Sequence, residues 1–183
     1  MAKVERLVPP VVEQPQYNLF ERAKVEKEFI RLYDAPYKMG TTIWSPLKSG
    51  VLTGKYNKEV PDGSRMAEKG YEWLAKTFGA NKAKWIPTTE KLMEFAKREE
   101  LQTTVTCLAI AWCVKNKNVS TVLLGATKEH QIEENLKALA VAKKLTPEMM
   151  KEIDDIVGNK PKPHSNPGRF LKNKTDPLCL SKL

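Results

Sequence analysis

Two stretches of this sequence carry side chains whose types and spacing suit the binding of a charged ligand. The first is TVLLGATKEHQIEEN, residues 121 to 135, in which a β-branched run reaches Gly125 and passes into a helical pattern. A chain that leaves a strand and opens a helix points free backbone N–H groups, and the positive end of the helix dipole, at whatever lies there. A phosphate suits such a turn. Gly125 lets a ligand approach the backbone, Thr127 is placed as N-cap and hydroxyl donor, and Gln131 falls one turn later on the same face. Glu134 and Asn135 follow, able to accept from and donate to a nucleobase edge. The competing reading of the same residues is an ordinary capped helix with a solvated polar face.

The second stretch is TTIWSPLKSGVLTGKY, residues 41 to 56. An apolar strand delivers the indole of Trp44, Ser45 and Pro46 turn the chain, and the small Ser49 and Gly50 keep the following loop close. A flat ring beside hydroxyl and backbone donors suits an aromatic cofactor head joined to phosphates. The alternative is that Trp44 is a core aromatic at a strand end. Lys55 and Arg65 are cations within reach of a phosphate, or else plain surface charges.

These loops need a frame, and the chain alternates between strand and helix patterns. PPVVEQ (9 to 14), TTIWS (41 to 45) and VSTVLL (119 to 124) read as strands. In TTVTCLAIAWCVKN, Val105, Leu108, Ala109, Trp112 and Cys113 recur at helical spacing, which predicts one buried face. Further helices are expected over 24 to 34, 66 to 78, 88 to 100, 128 to 142 and 147 to 157, the last with Thr146 as N-cap, Pro147 at the first position and Gly158 at the end. Strands without clean alternation, separated by helices, predict parallel β/α units. Three strands fall short of a closed eight-stranded barrel, which takes about 250 residues. Open strand edges then need a partner or further chain.

Composition narrows the function classes. The 183 residues contain no apolar run of the roughly 20 residues that a membrane span requires. The formal charge is +9, but residues 158 to 183 hold Lys160, Lys162, Arg169, Lys172, Lys174 and Lys182 against Asp176 alone. This basic, proline-containing segment, 159 to 183, reads as a flexible tail behind a folded domain of residues 1 to 158. With no recognition helix and no interleaving of aromatic and basic residues, nucleic acid is not an expected partner. Cys107, Cys113 and Cys179 have neither metal-ligand nor redox spacing, so neither a metal site nor a disulfide is expected.

Taken in order, EQPQYNLFERAKVE, WSPLKSGVLTGKY, LAIAWCVKN, STVLLGATKEHQIEEN and EIDDIVGNKP resemble the aldo-keto reductase family, in the branch of voltage-gated potassium channel β subunits, from about residue 7 to 161. The resemblance implies an α/β fold, a (β/α)8 TIM barrel of aldo-keto reductase type, of which this chain is the C-terminal half with about strands six to eight and their helices. It implies NADP(H) as cofactor. Gln14 matches the position that holds the nicotinamide carboxamide, and Trp44 the residue that stacks on its ring. Ser45, Pro46, Leu47, Lys48 and Ser49 match the loop along the pyrophosphate, with Lys48 and Ser49 standing where animal β subunits often carry smaller or sulfur-bearing residues. Lys55, Arg65, Gly125, Thr127 and Gln131 match positions around the phosphates, including the 2′-phosphate, and Glu134 and Asn135 the adenine contacts. Gly63 departs from a tyrosine found there in animal β subunits, so one contact is expected to be lost.

The family's proton-donating tyrosine, with its lysine and aspartate, belongs to the first half of the barrel, so no catalytic residue is expected in this chain. His130 and His164 do not replace them and read as surface residues. The resemblance implies a channel α subunit as partner and a homo-oligomer for a full-length chain. Three functions follow from it: a regulatory subunit reporting redox state to a potassium channel, a stand-alone NADPH-dependent reductase of aldehydes and ketones of the plant and fungal type, or a fragment without activity. The expected location is cytoplasmic, attached to a membrane through a channel. The terminal tripeptide Ser181-Lys182-Leu183 is a peroxisomal address and gives the alternative.

Overall fold

The computed structural model describes residue 5, residues 7–35 and residues 37–162. The expectations for His164, Cys179, the C-terminal tripeptide and most of the tail lie outside the described residues. Within them, β1 (Val12–Glu13), β2 (Gly40–Ile43) and β3 (Thr121–Val122) form a parallel sheet in the order β1-β2-β3. Val12 pairs with Gly40 and Thr42 with Thr121, and a bridge from Gln16 to Trp44 continues the first ladder. All three expected strands form, each shorter than its apolar run. β1 and β3 have a neighbour on one side among the described residues.

Five helices are described, α1 (Glu72–Ala96), α2 (Val105–Lys115), α3 (Glu129–Leu136), α4 (Ala138–Lys144) and α5 (Pro147–Val157); α2 packs on β3, while α1, α3 and α4 pack on α2 and α5 packs on α1. α2 exceeds its expected single buried face: Cys107, Ile110 and Ala111 are buried as well as Leu108, Ala109, Trp112 and Cys113. It lies in the main core with Ile43 and Leu52 below the sheet's end, Leu92 and Phe95 of α1, Val141 of α4 and Ile153 of α5. α5 has the expected ends, with Thr146 accepting from the Met149 N–H and Gly158 left-handed at φ 65°. Cys107 and Cys113 are free and buried.

Three helix expectations are corrected. The stretches 66 to 78 and 88 to 100 are not two helices; one helix of 25 residues runs through Pro87. Pro87 lies on the exposed face, and the hydroxyls of Thr88 and Thr89 donate to the carbonyls of Lys84 and Trp85 one turn back. The buried face of Leu74, Phe78, Trp85, Leu92 and Phe95 stays continuous across the proline, and packing outweighs the lost backbone bond. The segment 24 to 34 forms a π-helical turn, Lys24–Glu28, and a 3-10 turn, Ile30–Leu32. The segment 128 to 142 divides at Lys137 into α3 and α4. At the other end, Asn159 donates to the Leu19 carbonyl at 2.8 Å and Lys160 pairs with Asp154, so the packed structure reaches beyond residue 158.

Candidate functional site

β2 and β3 point their C-terminal ends at an open cleft of about 900 Å³. Its walls are the loop after β2, the segment 53 to 71, the start of α2, and the turn from β3 into α3. Of the residues marked out by sequence, Trp44, Ser45, Pro46, Leu47, Ser49, Lys55, Arg65, Gly125, Thr127, Gln131, Glu134 and Asn135 line it together. Gln14, exposed just past β1, and Lys48 are not on its walls. Lys48 sends its ammonium 2.6 Å from the Glu21 carboxylate and 5.2 Å over the Trp85 ring.

Trp44 is 43% exposed, so it is not a core aromatic; its backbone is fixed while its indole faces the cleft. The Trp44 N–H donates to the Pro15 carbonyl and the Trp44 carbonyl accepts from the Tyr17 N–H. Beyond it, Ser45, Lys48 and Ser49 adopt left-handed backbone at φ 53°, 46° and 54°. Each costs a non-glycine residue roughly 1–2 kcal/mol, and such strain gathers where a loop is held for a purpose. What holds it is the wholly buried Asn18: its amide donates to the Ser45 carbonyl at 2.9 Å and its Oδ1 accepts from the Phe20 and Glu21 N–H groups. Gly50 is favoured by its left-handed backbone at φ 94°, and a Cβ there would lie 2.7 Å from Lys55 Cε, the far end of a flexible side chain that would shift to make room. The absent side chain lets Lys55 cross the loop.

The segment carrying Asn18 is itself anchored. The buried Arg22 guanidinium contacts Glu26 and Asp154, each at 2.8 Å, and lies 5.0 Å over Trp112. The Tyr17 hydroxyl donates to Glu26 and accepts from Asn116. Burial, reinforced by the Glu26 charge, raises the Tyr17 hydroxyl far above the ordinary tyrosine range. Burial works against the Arg22 charge, but hydrogen bonding and attraction from Glu26, with Asp154 behind them, outweigh it and hold the guanidinium above its usual value.

On the opposite wall Thr127 is not the N-cap, which corrects the sequence reading. Lys128 is still extended, at φ −141° and ψ 145°, so the helix begins at Glu129. Instead the Gln131 Oε1 accepts from the Thr127 N–H at 2.9 Å and from its hydroxyl at 3.4 Å, bracing the turn from inside the helix. Gly125 has neither a left-handed φ nor any atom within 4 Å of an added Cβ. Packing makes no demand for glycine there, and the cleft is what a side chain would enter. Glu134 accepts from the Thr104 hydroxyl at 2.9 Å, which ties α3 to the first turn of α2.

Two exposed cations and two buried polar side chains on these walls lack a hydrogen-bond or carboxylate partner among the described residues. Lys55 and Arg65 stand over the rings of Tyr56 and Tyr71, and neither has a carboxylate partner among the described residues. Asn135 is 4% exposed, yet nothing among the described residues hydrogen-bonds its side chain. The hydroxyl of Ser64, 8% exposed, also lacks a partner. Sequence reasoning missed Ser64, Thr104 and Tyr71, which carry no motif and reach the cleft through loop geometry alone. Among the described residues no group of histidine, cysteine and carboxylate side chains suits a metal, and no helix is long and apolar enough to cross a membrane.

Residues 1–157 match the family described as aldo/keto reductase. The chain belongs to that family. The sequence is 51% identical over 158 residues to a protein of Oryza sativa subsp. japonica named as a probable voltage-gated potassium channel subunit beta, covering 85% of this chain and 46% of that one. Similar coverage holds for the protein of the same name from Arabidopsis thaliana, at 48%, and for a putative one from Schizosaccharomyces pombe, at 43% over 156 residues. Among solved structures, a glycerol dehydrogenase from Gluconobacter oxydans superimposes with a TM-score of 0.63 at 25% identity, over 84% of this chain and 44% of that one. The fold is therefore of the α/β barrel type, and three of its parallel strands lie within the described residues. The chain spans about half the length of the curated relatives it matches.

Proposed function

We propose that this chain is the C-terminal half of a potassium-channel-β-type aldo-keto reductase barrel, and that its cleft holds NADP(H). The observation that carries the reading is the company kept in the cleft: an exposed indole, two cations without carboxylates, and the Gly125–Asn135 turn with its buried, unbonded amide. This donor set fits a nicotinamide dinucleotide. Trp44 covers one face of the nicotinamide and keeps water from it; Lys55 and Arg65 balance phosphate charge; Gln131 and Thr127 receive the adenosine phosphate; Glu134 and Asn135 meet adenine. The bound cofactor supplies hydride chemistry. The barrel's remaining β/α units would supply proton donation, pair the free edges of β1 and β3, and complete the surface for a channel α subunit. Likeness to a dehydrogenase of known structure favours carbonyl reduction as the second role of the same site.

The test titrates NADPH and NADH into the chain, alone and mixed with the N-terminal half of the rice relative, and follows tryptophan fluorescence, with Trp44→Phe identifying the share that Trp44 contributes. Thr127→Ala and Gln131→Ala each remove a bond worth roughly 1.5–3 kcal/mol to a charged ligand, a loss of about tenfold or more in NADPH affinity. NADH affinity should hardly change if the 2′-phosphate is the group recognised. Because Gln131 also braces the turn, equal losses for both cofactors would mark it as structural only. Absence of binding in every arm defeats the reading.

A further inference from the structure

In the whole sequence a single aspartate or asparagine is followed by glycine, Asp62 before Gly63. In such a pair the glycine nitrogen is able to attack the side-chain carboxyl one residue back, because no Cβ screens it. Pro61-Asp62-Gly63-Ser64 reads as a turn by composition, and the structure closes it with the Ser64 N–H donating to the Pro61 carbonyl at 3.1 Å. Gly63 takes the third place at φ 68°, the left-handed conformation that a type II turn requires there.

The pair is free of the contacts that would hold it unreactive. Asp62 is exposed, and its carboxylate has no ion pair or hydrogen bond among the described residues. Gly63 is exposed as well, its N–H has no acceptor among the described residues, and no heavy atom lies within 4 Å of an added Cβ. The other described aspartates lack this combination. Asp154 pairs with Arg22 and Lys160, Asp155 lies within α5 before the branched Ile156, and Asp34 precedes Ala35.

We propose that Asp62–Gly63 is a site of spontaneous isoaspartate formation in the folded chain, and that the change reshapes the cleft wall beyond it. The Gly63 nitrogen gives its proton to solvent and bonds to Asp62 Cγ, while the carboxyl group loses one oxygen as water. The succinimide ring then takes up one water and opens at either carbonyl carbon. Breaking the bond from nitrogen to Cγ restores aspartate; breaking the bond to the main-chain carbonyl carbon leaves the chain running through Cγ, with a free α-carboxylate. One water leaves, one enters, and nothing is oxidised or reduced. The product has an additional backbone carbon between Pro61 and Gly63, so the Ser64 N–H no longer closes the same turn on the Pro61 carbonyl. Farther on, the chain is pinned by Met66, buried with Val51, Tyr56 and Phe78. The displacement therefore falls on Ser64 and Arg65, which line the cleft. None of this needs a ligand, and it stands apart from the nucleotide reading.

The experiment ages the purified chain at neutral pH and body temperature, alone and in the mixed preparation used above, with circular dichroism to follow the fold. Trypsin then releases residues 59 to 65 as one peptide, Glu59 to Arg65. This peptide should divide with time into two species of equal mass, the new one accepting a methyl group from an isoaspartyl methyltransferase, with a species one water lighter between them. Asp62→Glu, which would need a larger ring, should abolish the new species, and Gly63→Ala should slow it about tenfold by setting a methyl group beside the nitrogen. Brief trypsin treatment of the aged native chain should cut after Arg65 several-fold faster than in fresh chain. Isoaspartate that appears in urea-unfolded chain but not in folded chain overturns the proposal, as does equal methyl acceptance by wild type and Asp62→Glu. Isoaspartate with unchanged cleavage after Arg65 refutes the reshaping of the wall.

Discussion

Asn18 is the side chain on which the geometry of the Trp44 loop turns, and its removal gives the sharpest test of how the cleft is held. In Asn18→Ala the Glu21 N–H keeps the Asn18 carbonyl and the Ser45 carbonyl keeps the Lys48 N–H, so neither is orphaned. The Phe20 N–H loses its acceptor, and the bond across the loop to Ser45 is gone. The orphaned donor is only part-buried, toward the lower end of about 1–3 kcal/mol, and one lost net hydrogen bond adds about 0.5–1.5, so the variant should lose about 2–3 kcal/mol. With a urea slope of about 2 kcal/mol/M, the unfolding midpoint should fall by about 1–2 M. The functional consequence is separate. Ser45 sits at φ 53° at a cost of roughly 1–2 kcal/mol, comparable to the tether that opposes it, so without Asn18 it relaxes to ordinary backbone and carries Trp44 with it. NADPH affinity should drop about tenfold in fluorescence titration. Asn18→Asp separates the effects, since it keeps both acceptor bonds and replaces the donor to Ser45 by an oxygen that repels it. An unchanged midpoint with unchanged affinity would show that Asn18 does not hold the loop. A lower midpoint with wild-type affinity would make it a folding residue only.

Pro87→Ala should stabilise the chain by about 1–2 kcal/mol in urea, because it returns an N–H to an exposed helix interior and offsets only part of the gain through a freer unfolded chain; a destabilised variant would mean that the kink is required for packing. Burial keeps the Tyr17 hydroxyl un-ionised, and burial with the nearby Glu13 charge pushes Tyr33 up to about 12. For an acid whose folded pKa is raised, stability is whole below the unfolded value of about 10 and is lost as pH rises through the folded one. Ultraviolet titration of tyrosinate should therefore find fewer than all 5 tyrosines ionised until the circular dichroism collapses, and titration of all of them in an intact fold would contradict this. The open edges of β1 and β3, with Leu123, Leu124, Ile132, Leu136 and Leu139 exposed nearby, should make the chain self-associate with rising concentration in light scattering, until the complementary half is added. A monomer at every concentration would refute the half-barrel reading.

Sequence carried the frame further than the details. α2 and α5 were legible because apolar spacing, Thr146, Pro147 and Gly158 all specify one element, and nothing in the tertiary structure opposes them. The break expected between residues 78 and 88 does not occur, because a continuous apolar face on both sides of Pro87 is a tertiary fact that local propensity does not contain. The cleft residues of the Trp44 loop and the α3 turn were legible as motifs, while Ser64 was not. A serine in a Pro-Asp-Gly-Ser run reads as turn chemistry, and its burial on the cleft wall follows from loop geometry that local sequence does not contain. Lys48 belongs to the loop by position, while its side chain pairs with Glu21 and is not on the cleft's walls. Thr127 was misplaced by one step because the chain stays extended through Lys128, and Gln131, not Thr127, supplies the bracing acceptor.

The same network explains how a sheet with so few strand residues presents a cleft at all. β1 and β3 hold only two residues each in regular pairing, too few to fix the loops that leave them. That task passes to side chains in series: Asp154 of α5 and Glu26 grip Arg22, the segment behind Arg22 carries Asn18, and Asn18 holds Ser45 beside Trp44. Buried ion pairs of this kind add little over an apolar replacement, whereas breaking one by removing a single partner costs about 3–5 kcal/mol. On the other wall Thr104 does the corresponding work, capping α2 through the Cys107 N–H while its hydroxyl donates to Glu134. Each wall is thus referred to a helix of the core, α5 through its buried Ile153 and Val157 on one side and the buried α2 on the other. Both helices pack into the same core around Leu108 and Ile153, so the cleft's width is set by that core and not by the strands at its mouth.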